Sequence, residues 1–314
     1  ILHQYQHLKF LFWVQNSQTG KFTAQQNAAA VTPPSGFTKY LGLTSTSAYS
    51  VGSGDYFNLQ QSIEGLNCGD LAWGSASAAT VTLSFRVYSS LTGTFGGSLR
   101  NSANNRSYPF TYTVSSANTW TTISLTIVGD QSGTWLTTTG VGINILFNLG
   151  TGTTYSGGTA NTWNAGNYNT PSGSVSVVGT SGATFYITGV QLEVGSSGSS
   201  FAHEDYGTTL SKCQRYYWKD TGIRIWAIAQ GSYYDGVAQV FFPVPMRAAP
   251  TGTSLTGGST FAANISGTPS AGISTGIVNN TWSTHIAYLT QASGVGAIGS
   301  IGYSNGTATA SAEL

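Results

Sequence analysis

The sequence predicts an all-β chain: an antiparallel β-sandwich followed by a second, smaller β-sandwich domain. Three observations carry this. Hydrophobic residues recur with period two, strand candidates return about every 10–20 residues between Gly/Ser/Asn turns, and a single short stretch has helical character.

Residues 80–88 alternate strictly and place Val81, Leu83, Phe85 and Val87 on one face. Residues 121–127 repeat the pattern, residues 142–149 (Gly-Ile-Asn-Ile-Leu-Phe-Asn-Leu) do so again, and 183–194 read as a further strong strand. Alternation of this kind marks half-buried antiparallel strands, and strands so spaced mark a sandwich. Further along, 223–229, 237–242 and 283–290 read as strands, and Tyr216-Tyr217-Trp218 opens a core strand. Pro243, Pro245 and Pro250 must leave the ladder, since proline donates no N–H. No internal repeat stands out.

The charges divide the chain. No Asp, Glu, Lys or Arg falls between Asp130 and Glu193, or between Arg247 and Glu313. Between those gaps lies a charged stretch holding Glu204, Asp205, Lys212, Arg215, Lys219, Asp220, Arg224, Asp235 and Arg247, preceded by the linker-like run Gly195-Ser-Ser-Gly-Ser-Ser200. This sets a boundary near 200–212 and gives domains 1–205 and 206–314. Residues 208–215 are the one short helix expected. The charged stretch is an interdomain joint where Arg215 or Arg224 meets Asp205 or Asp220, an oligomer contact, or a set of solvated linker charges.

Function classes fall away on composition. Only 21 of 314 residues are charged, with a net charge of +1. Nucleic-acid binding needs clustered Lys/Arg, disorder shows high net charge and few aromatics, and a coiled coil needs abundant Ala, Glu, Lys and Leu. No apolar run is long enough for a membrane span, and Leu11-Phe12-Trp13-Val14 is too short for a signal core. Cys68 and Cys213 are expected as two buried thiols.

Apparent catalytic motifs read as chance. Gly302-Tyr-Ser-Asn-Gly306 matches a nucleophile elbow but lacks the acid and histidine that should follow. Gly294-Val-Gly-Ala-Ile-Gly299 opens no βαβ unit. His203-Glu204 lacks a second zinc-ligand histidine, and His3 and His7 are expected to be solvated. Asp55, Glu64 and Asp70 are the sole early candidates for a glycosidase acid pair, with turn and edge positions as the plainer account. No catalytic residue, metal site or cofactor is expected. What remains is the uncharged stretch 150–173, with Tyr155, Asn161, Trp163, Asn164 and Tyr168. Flat aromatic faces among neutral amides and hydroxyls are a small-ligand pattern and suit sugars. These five residues are the candidate glycan contacts; the alternative is that Trp163 and Tyr168 plug the loop onto the sandwich or face a neighbouring subunit.

Residues 182–217, Gly-Ala-Thr-Phe-Tyr-Ile-Thr-Gly-Val-Gln-Leu-Glu-Val-Gly through Tyr206-Gly-Thr-Thr-Leu-Ser-Lys-Cys-Gln-Arg-Tyr-Tyr, resemble a block in tail-fibre and other virion structural proteins of tailed, marine-type bacteriophages. So do Asp55–Gly65 and the stretch from Ser90 to Trp120, and the likeness runs over roughly 15–250. The resemblance implies a jelly-roll domain akin to carbohydrate-binding modules, then a β-rich domain, in a tail-fibre or receptor-binding protein on the virion. It implies a homo-oligomer, a trimer first, with other virion proteins and host surface polysaccharide as partners, and neither nucleic acid nor membrane insertion. Thr188 stands where carbohydrate-binding jelly rolls often carry a calcium-ligating acid, and the first 20 residues depart from the usual opening. A capsid-surface or head-fibre decoration, a tail connector, and a glycan depolymerase are the rival expectations.

Overall fold

The computed structural model describes residues 12–27, 31–230, 233–250, 252–256, 262–263, 277–282, 286–292 and 301–312. The chain divides into two compact units, Ile1–His203 and Glu204–Leu314. Among the described residues it is all-β apart from one short helix and two single 3-10 turns.

The first unit contains β1 (Phe12–Asn16), β2 (Phe22–Gln26), β3 (Leu41–Ser45), β4 (Tyr56–Glu64), β5 (Val81–Ser89), β6 (Gly93–Arg100), β7 (Arg106–Val114), β8 (Thr121–Ile127), β9 (Val141–Thr151), β10 (Asn164–Ala165) and β11 (Thr184–Val194). These make a six-stranded sheet in the order β1-β4-β9-β6-β7-β10 and a five-stranded sheet in the order β2-β3-β11-β5-β8. Strand pairs are antiparallel throughout. The chain passes back and forth between the two sheets, as a jelly roll does.

Period-two alternation explains the core between them. On β5, Val81, Leu83, Phe85 and Val87 are fully buried, and on β9 so are Ile145, Phe147 and Leu149. Phe85 of the five-stranded sheet stands edge-on to Phe147 and Tyr112 of the six-stranded sheet, at 5.0 and 5.1 Å between centroids. Each such side chain contributes about 1.5–3 kcal/mol by leaving water. The alternating strands were expected to be half-buried. Strand β9 instead is buried on both faces, because Asn144, Leu146 and Asn148 are at most 7% exposed. Periodicity reports which face is apolar and says nothing of what covers the other.

Gly97 lets β6 pack tightly. A Cβ there would stand 2.2 Å from the Leu146 carbonyl oxygen and 2.5 Å from the Phe110 ring. Two acids fasten loops to the sandwich. Asp55 accepts from the Gly52 N–H, the Tyr49 hydroxyl and the Ser17 hydroxyl at 2.8–2.9 Å. Asp130, 2% exposed, receives Nε and Nη2 of Arg106 at 2.7 and 2.6 Å. Of the cysteines, both free, Cys68 is buried as expected and Cys213 only partly so.

The second unit opens with α1 (Tyr206–Gln214), capped by Asp205, whose carboxylate accepts from the Thr208 N–H at 3.0 Å. Lys212 pairs with Glu204 at 2.5 Å, so these acids serve the helix and its approach. The expected partners Asp220 and Arg224 lie outside the described side chains. The strands are β12 (Tyr217–Gln230), β13 (Tyr233–Phe241), β14 (Gly252–Thr256), β15 (Ala262–Ala263), β16 (Ile277–Trp282), β17 (Ile286–Ala292) and β18 (Ile301–Ser311). Among the described residues they form one antiparallel sheet, β14-β18-β12-β13-β17-β16, with β15 also paired to β18. Trp218 at the start of β12 is buried edge-on against Phe242. Gly302–Gly306 lies inside β18 and not at a strand-to-helix turn, while His3, His7 and 294–299 lie outside the described residues.

Two predictions follow from this packing. Gly97→Ala should destabilise the first unit by about 3 kcal/mol, since its methyl meets backbone and a buried ring; urea denaturation reads this, and an unchanged midpoint would contradict it. Asp55 is held below the ordinary aspartate range by the Gly52 N–H first, then by the Tyr49 and Ser17 hydroxyls. A lowered native pKa adds stability that is present above the unfolded pKa and is lost as pH falls through the native one. Acidification from about pH 5 to about pH 2 should therefore lower the melting temperature less in Asp55→Asn than in the parent chain.

Candidate functional site

The outer face of the six-stranded sheet is where uncharged polar groups converge. Side chains directly opposite on paired strands share a face. Register alone therefore sets out a row across five strands: Ser62 of β4, Asn144 of β9, Arg100 of β6, Ser107 of β7 and Asn164 of β10. The next row holds Gln60, Leu146 and Ser98, and beyond it Asn58 faces Asn148. Gln60 Nε2 donates to Asn144 Oδ1 at 3.1 Å, and the Ser62 hydroxyl donates to the same oxygen at 2.7 Å.

These groups are buried, yet several lack partners. Both amide atoms of Asn58, Gln60 Oε1, Arg100 Nε and the Ser107 hydroxyl are shut away without a hydrogen bond. An unmet buried polar atom costs about 1–3 kcal/mol, and a native fold holds few without a reason. Five of the nine such atoms among the described residues lie on this face, which marks it as a place prepared for polar atoms from elsewhere.

The segment between β9 and β11 borders this face. Thr170 and Ser174 approach so closely that a Cβ on Gly96 of β6 would stand 2.1 Å from the Thr170 hydroxyl. The Tyr155 ring packs edge-on against Tyr56, 5.4 Å away. Asn167 and Asn169 turn their Oδ1 atoms to Nη1 of Arg100, the second at 2.6 Å.

The five candidates from the sequence do not gather in one place. Tyr155 is partly buried at the border of the polar face. Asn161 fixes the segment to β7: its N–H donates to the Pro109 carbonyl at 2.7 Å and its Oδ1 accepts from the Thr111 N–H. Asn164 is spent within the segment on Thr159 and Thr162. The Tyr168 ring is cradled by Gly157, Gly158 and Gly166, all at positive φ, where any Cβ would stand 2.8–3.2 Å from it.

Trp163 belongs to an aromatic cluster apart from the polar face. Its ring meets Trp73, Trp135 and Tyr108 at 5.1–5.3 Å, and its indole N–H donates to the Val128 carbonyl at 2.6 Å. Trp73 and Trp135 likewise give their N–H groups to backbone carbonyls. Beside them a cleft of about 250 Å³ is lined by Cys68, Trp73, Trp135, Leu136 and Ile143. Burial pushes the Cys68 thiol up to about 12, so it is not a ready nucleophile.

The residues missed from sequence are Arg100, Tyr56, Asn58, Gln60, Ser62 and Asn144. Their signal was present: β4 carries Asn58, Gln60 and Ser62, and β9 carries Asn144 and Asn148, at positions alternating with the core residues. Of the three acids weighed as a hydrolytic pair, Asp55 holds a turn, Glu64 is buried at the end of β4 and Asp70 lies in a 3-10 turn. Asp55 and Asp130 are engaged as above, and Glu193 accepts from Ser199 and Gln191. Among the described residues no group of three or more His, Cys, Asp or Glu gathers to hold a metal, and the Thr188 hydroxyl donates to the Lys39 carbonyl.

No protein-family model matches the chain, and no curated protein matches it. Among solved structures, the family 11 carbohydrate-binding module from Clostridium thermocellum, in complex with a beta-1,3-1,4-mixed-linked tetrasaccharide, matches with 11% identity and a TM-score of 0.31, covering 60% of this chain and 91% of that one. The N-terminal CBM22-1-CBM22-2 tandem domain from Paenibacillus barcinonensis Xyn10C matches with 8% identity and a TM-score of 0.31, covering 99% and 97%. The enzymatically active domain of bacteriophage CBA120 tailspike protein 4 matches with 14% identity and a TM-score of 0.34, covering 61% of this chain and 20% of that one.

Proposed function

We propose that this chain binds a glycan on the outer face of its six-stranded sheet, as the attachment module of a bacteriophage tail fibre or receptor-binding protein. The observation that carries the glycan reading is the set of buried, unpartnered amide and hydroxyl atoms on that face, bordered by Tyr56 and Tyr155. Sugars present a dense array of hydroxyls that both donate and accept. Asn and Gln side chains match them, and aromatic rings take up the apolar faces of the pyranose. The engagement of Asp55, Asp130 and Glu193 in structural hydrogen bonds supports binding over hydrolysis.

The virion setting rests on the resemblance of 182–217 to tail-fibre blocks. On the virion a homotrimer would present several weak sites together, and the gain in avidity needs no new contact. A second reading, a capsid-surface decoration or tail connector, is favoured by exposed apolar side chains in the second unit. Tyr206 is 79% exposed and Phe241 66%, and such groups suit contact with another virion protein.

A glycan array and a host-cell adsorption assay test the proposal, with variants chosen to separate binding from folding. Tyr155→Ala and Gln60→Ala should weaken glycan binding about tenfold, the loss of roughly one stacking contact or hydrogen-bonded pair, read well below the melting transition because Gln60 is buried and its truncation also costs stability. Trp163→Ala should lower the melting temperature through loss of its cluster. Full binding in both Tyr155→Ala and Gln60→Ala would remove this face as the site.

A further inference from the structure

Arg100 differs from Arg106 in what its guanidinium meets. It is 6% exposed on β6. Arg106, at the start of the neighbouring strand, has a side chain 16% exposed and receives a two-point carboxylate partner in Asp130. The more deeply buried guanidinium has none. Its contacts are the neutral Oδ1 atoms of Asn167 and Asn169 on Nη1, and Nε has no partner. No acid pairs with it among the described residues.

A guanidinium cannot shed its charge to relieve this. Burial lowers it to about 10, against weaker support from the Tyr56 and Tyr155 hydroxyls, and it stays a cation at neutral pH. Buried charges are ordinarily paired, because the loss of hydration is otherwise uncompensated. One neighbouring unmet group is a further donor, the Ser107 hydroxyl, directly opposite Arg100 on β7. A guanidinium with an unspent N–H, beside an unspent O–H donor, is a receptor for a planar anion with two oxygens.

We infer that the ligand of this face carries a carboxylate, as a uronic- or sialic-acid residue does, and that Arg100 pairs with it. This rests on the glycan reading above and names the sugar class. Asn167 is only partly buried and stands as the outer of the two amides on Arg100. Rotation of its side chain frees Nη1, and the sugar carboxylate takes the place its Oδ1 held. Tyr56, Tyr155, Gln60 and Asn144 are then left for the neutral hydroxyls and ring faces of that residue and its neighbours.

The test uses the full chain on an array of uronic- and sialic-acid glycans beside neutral ones. Titration calorimetry follows with the strongest acidic oligosaccharide and its methyl ester, or with tetragalacturonate and its methyl ester where the array shows no acidic glycan. Esterification removes the charge and keeps the shape, so affinity should fall at least about tenfold, as loss of a charge-assisted pair requires. Asn167→Asp places a carboxylate on Arg100 from within the chain. It should raise the melting temperature and abolish the preference for acid over ester while neutral glycans still bind. Arg100→Gln should also erase that preference, and the ester comparison stands even where that variant does not fold. Equal affinity for acid and ester, or binding to neutral glycans alone, overturns the inference and leaves the glycan reading intact. Binding to no glycan at all overturns both.

Discussion

The central strands of the first unit's six-stranded sheet are buried on both faces, and much else in that unit follows from this constraint. On β9, Ile143 through Leu149 are all at most 7% exposed. One side meets the five-stranded sheet with hydrocarbon and aromatic rings, of which Phe147 against Phe85 is the central contact. The other side carries amides and hydroxyls, and polar groups removed from water need partners. Some find them along the sheet, as Gln60, Ser62 and Asn144 do. Others are met by the segment between β9 and β11, whose Asn167 and Asn169 reach Arg100. The remainder are unmet, and that remainder is the candidate site.

The same constraint accounts for where glycine is used. Gly96 admits Thr170 and Ser174 to the outer face, and Gly97 lets β6 lie flush on β9 and Phe110. Larger residues would hold the bordering segment off the sheet and open the face to water. A polar surface thus becomes a polar interior without added hydrophobic cover.

How much of this was legible in the sequence depends on what each signal measures. Alternation located β5, β8, β9 and β11 well, because apolar side chains at every second position have one physical use in a sandwich. It also located the short helix near 208–215, now Tyr206–Gln214 with Asp205 as its cap. It could not report the burial of Asn144 and Asn148, since a polar residue looks the same in sequence whether water or another segment covers it. The aromatics of 150–173 were read as one group, and the fold separates them. Trp163 is drawn into a cluster with Trp73 and Trp135, from two other loops. Tyr168 is enclosed by glycines of its own segment. Tyr155 alone of the three aromatics borders the polar face. Long-range packing made that division, and spacing within a single loop carries no trace of it.

Sparse charge gains its meaning from the partners each charge has. In the first unit Asp55, Asp130 and Glu193 each hold a turn, a loop or a strand end through two or more hydrogen bonds. Arg106 is matched by a carboxylate. Beside these engaged groups, a buried guanidinium with no carboxylate partner is informative. Asn167 and Asn169 need a donor at Arg100, but two neutral amides do not need a full charge, and a desolvated charge costs the fold. The position of Arg100, in the same cross-strand row as Ser62, Asn144 and Ser107, ties this unmatched charge to the unmet polar atoms. Both irregularities on the outer face therefore have a single account, a polar ligand bearing one negative group.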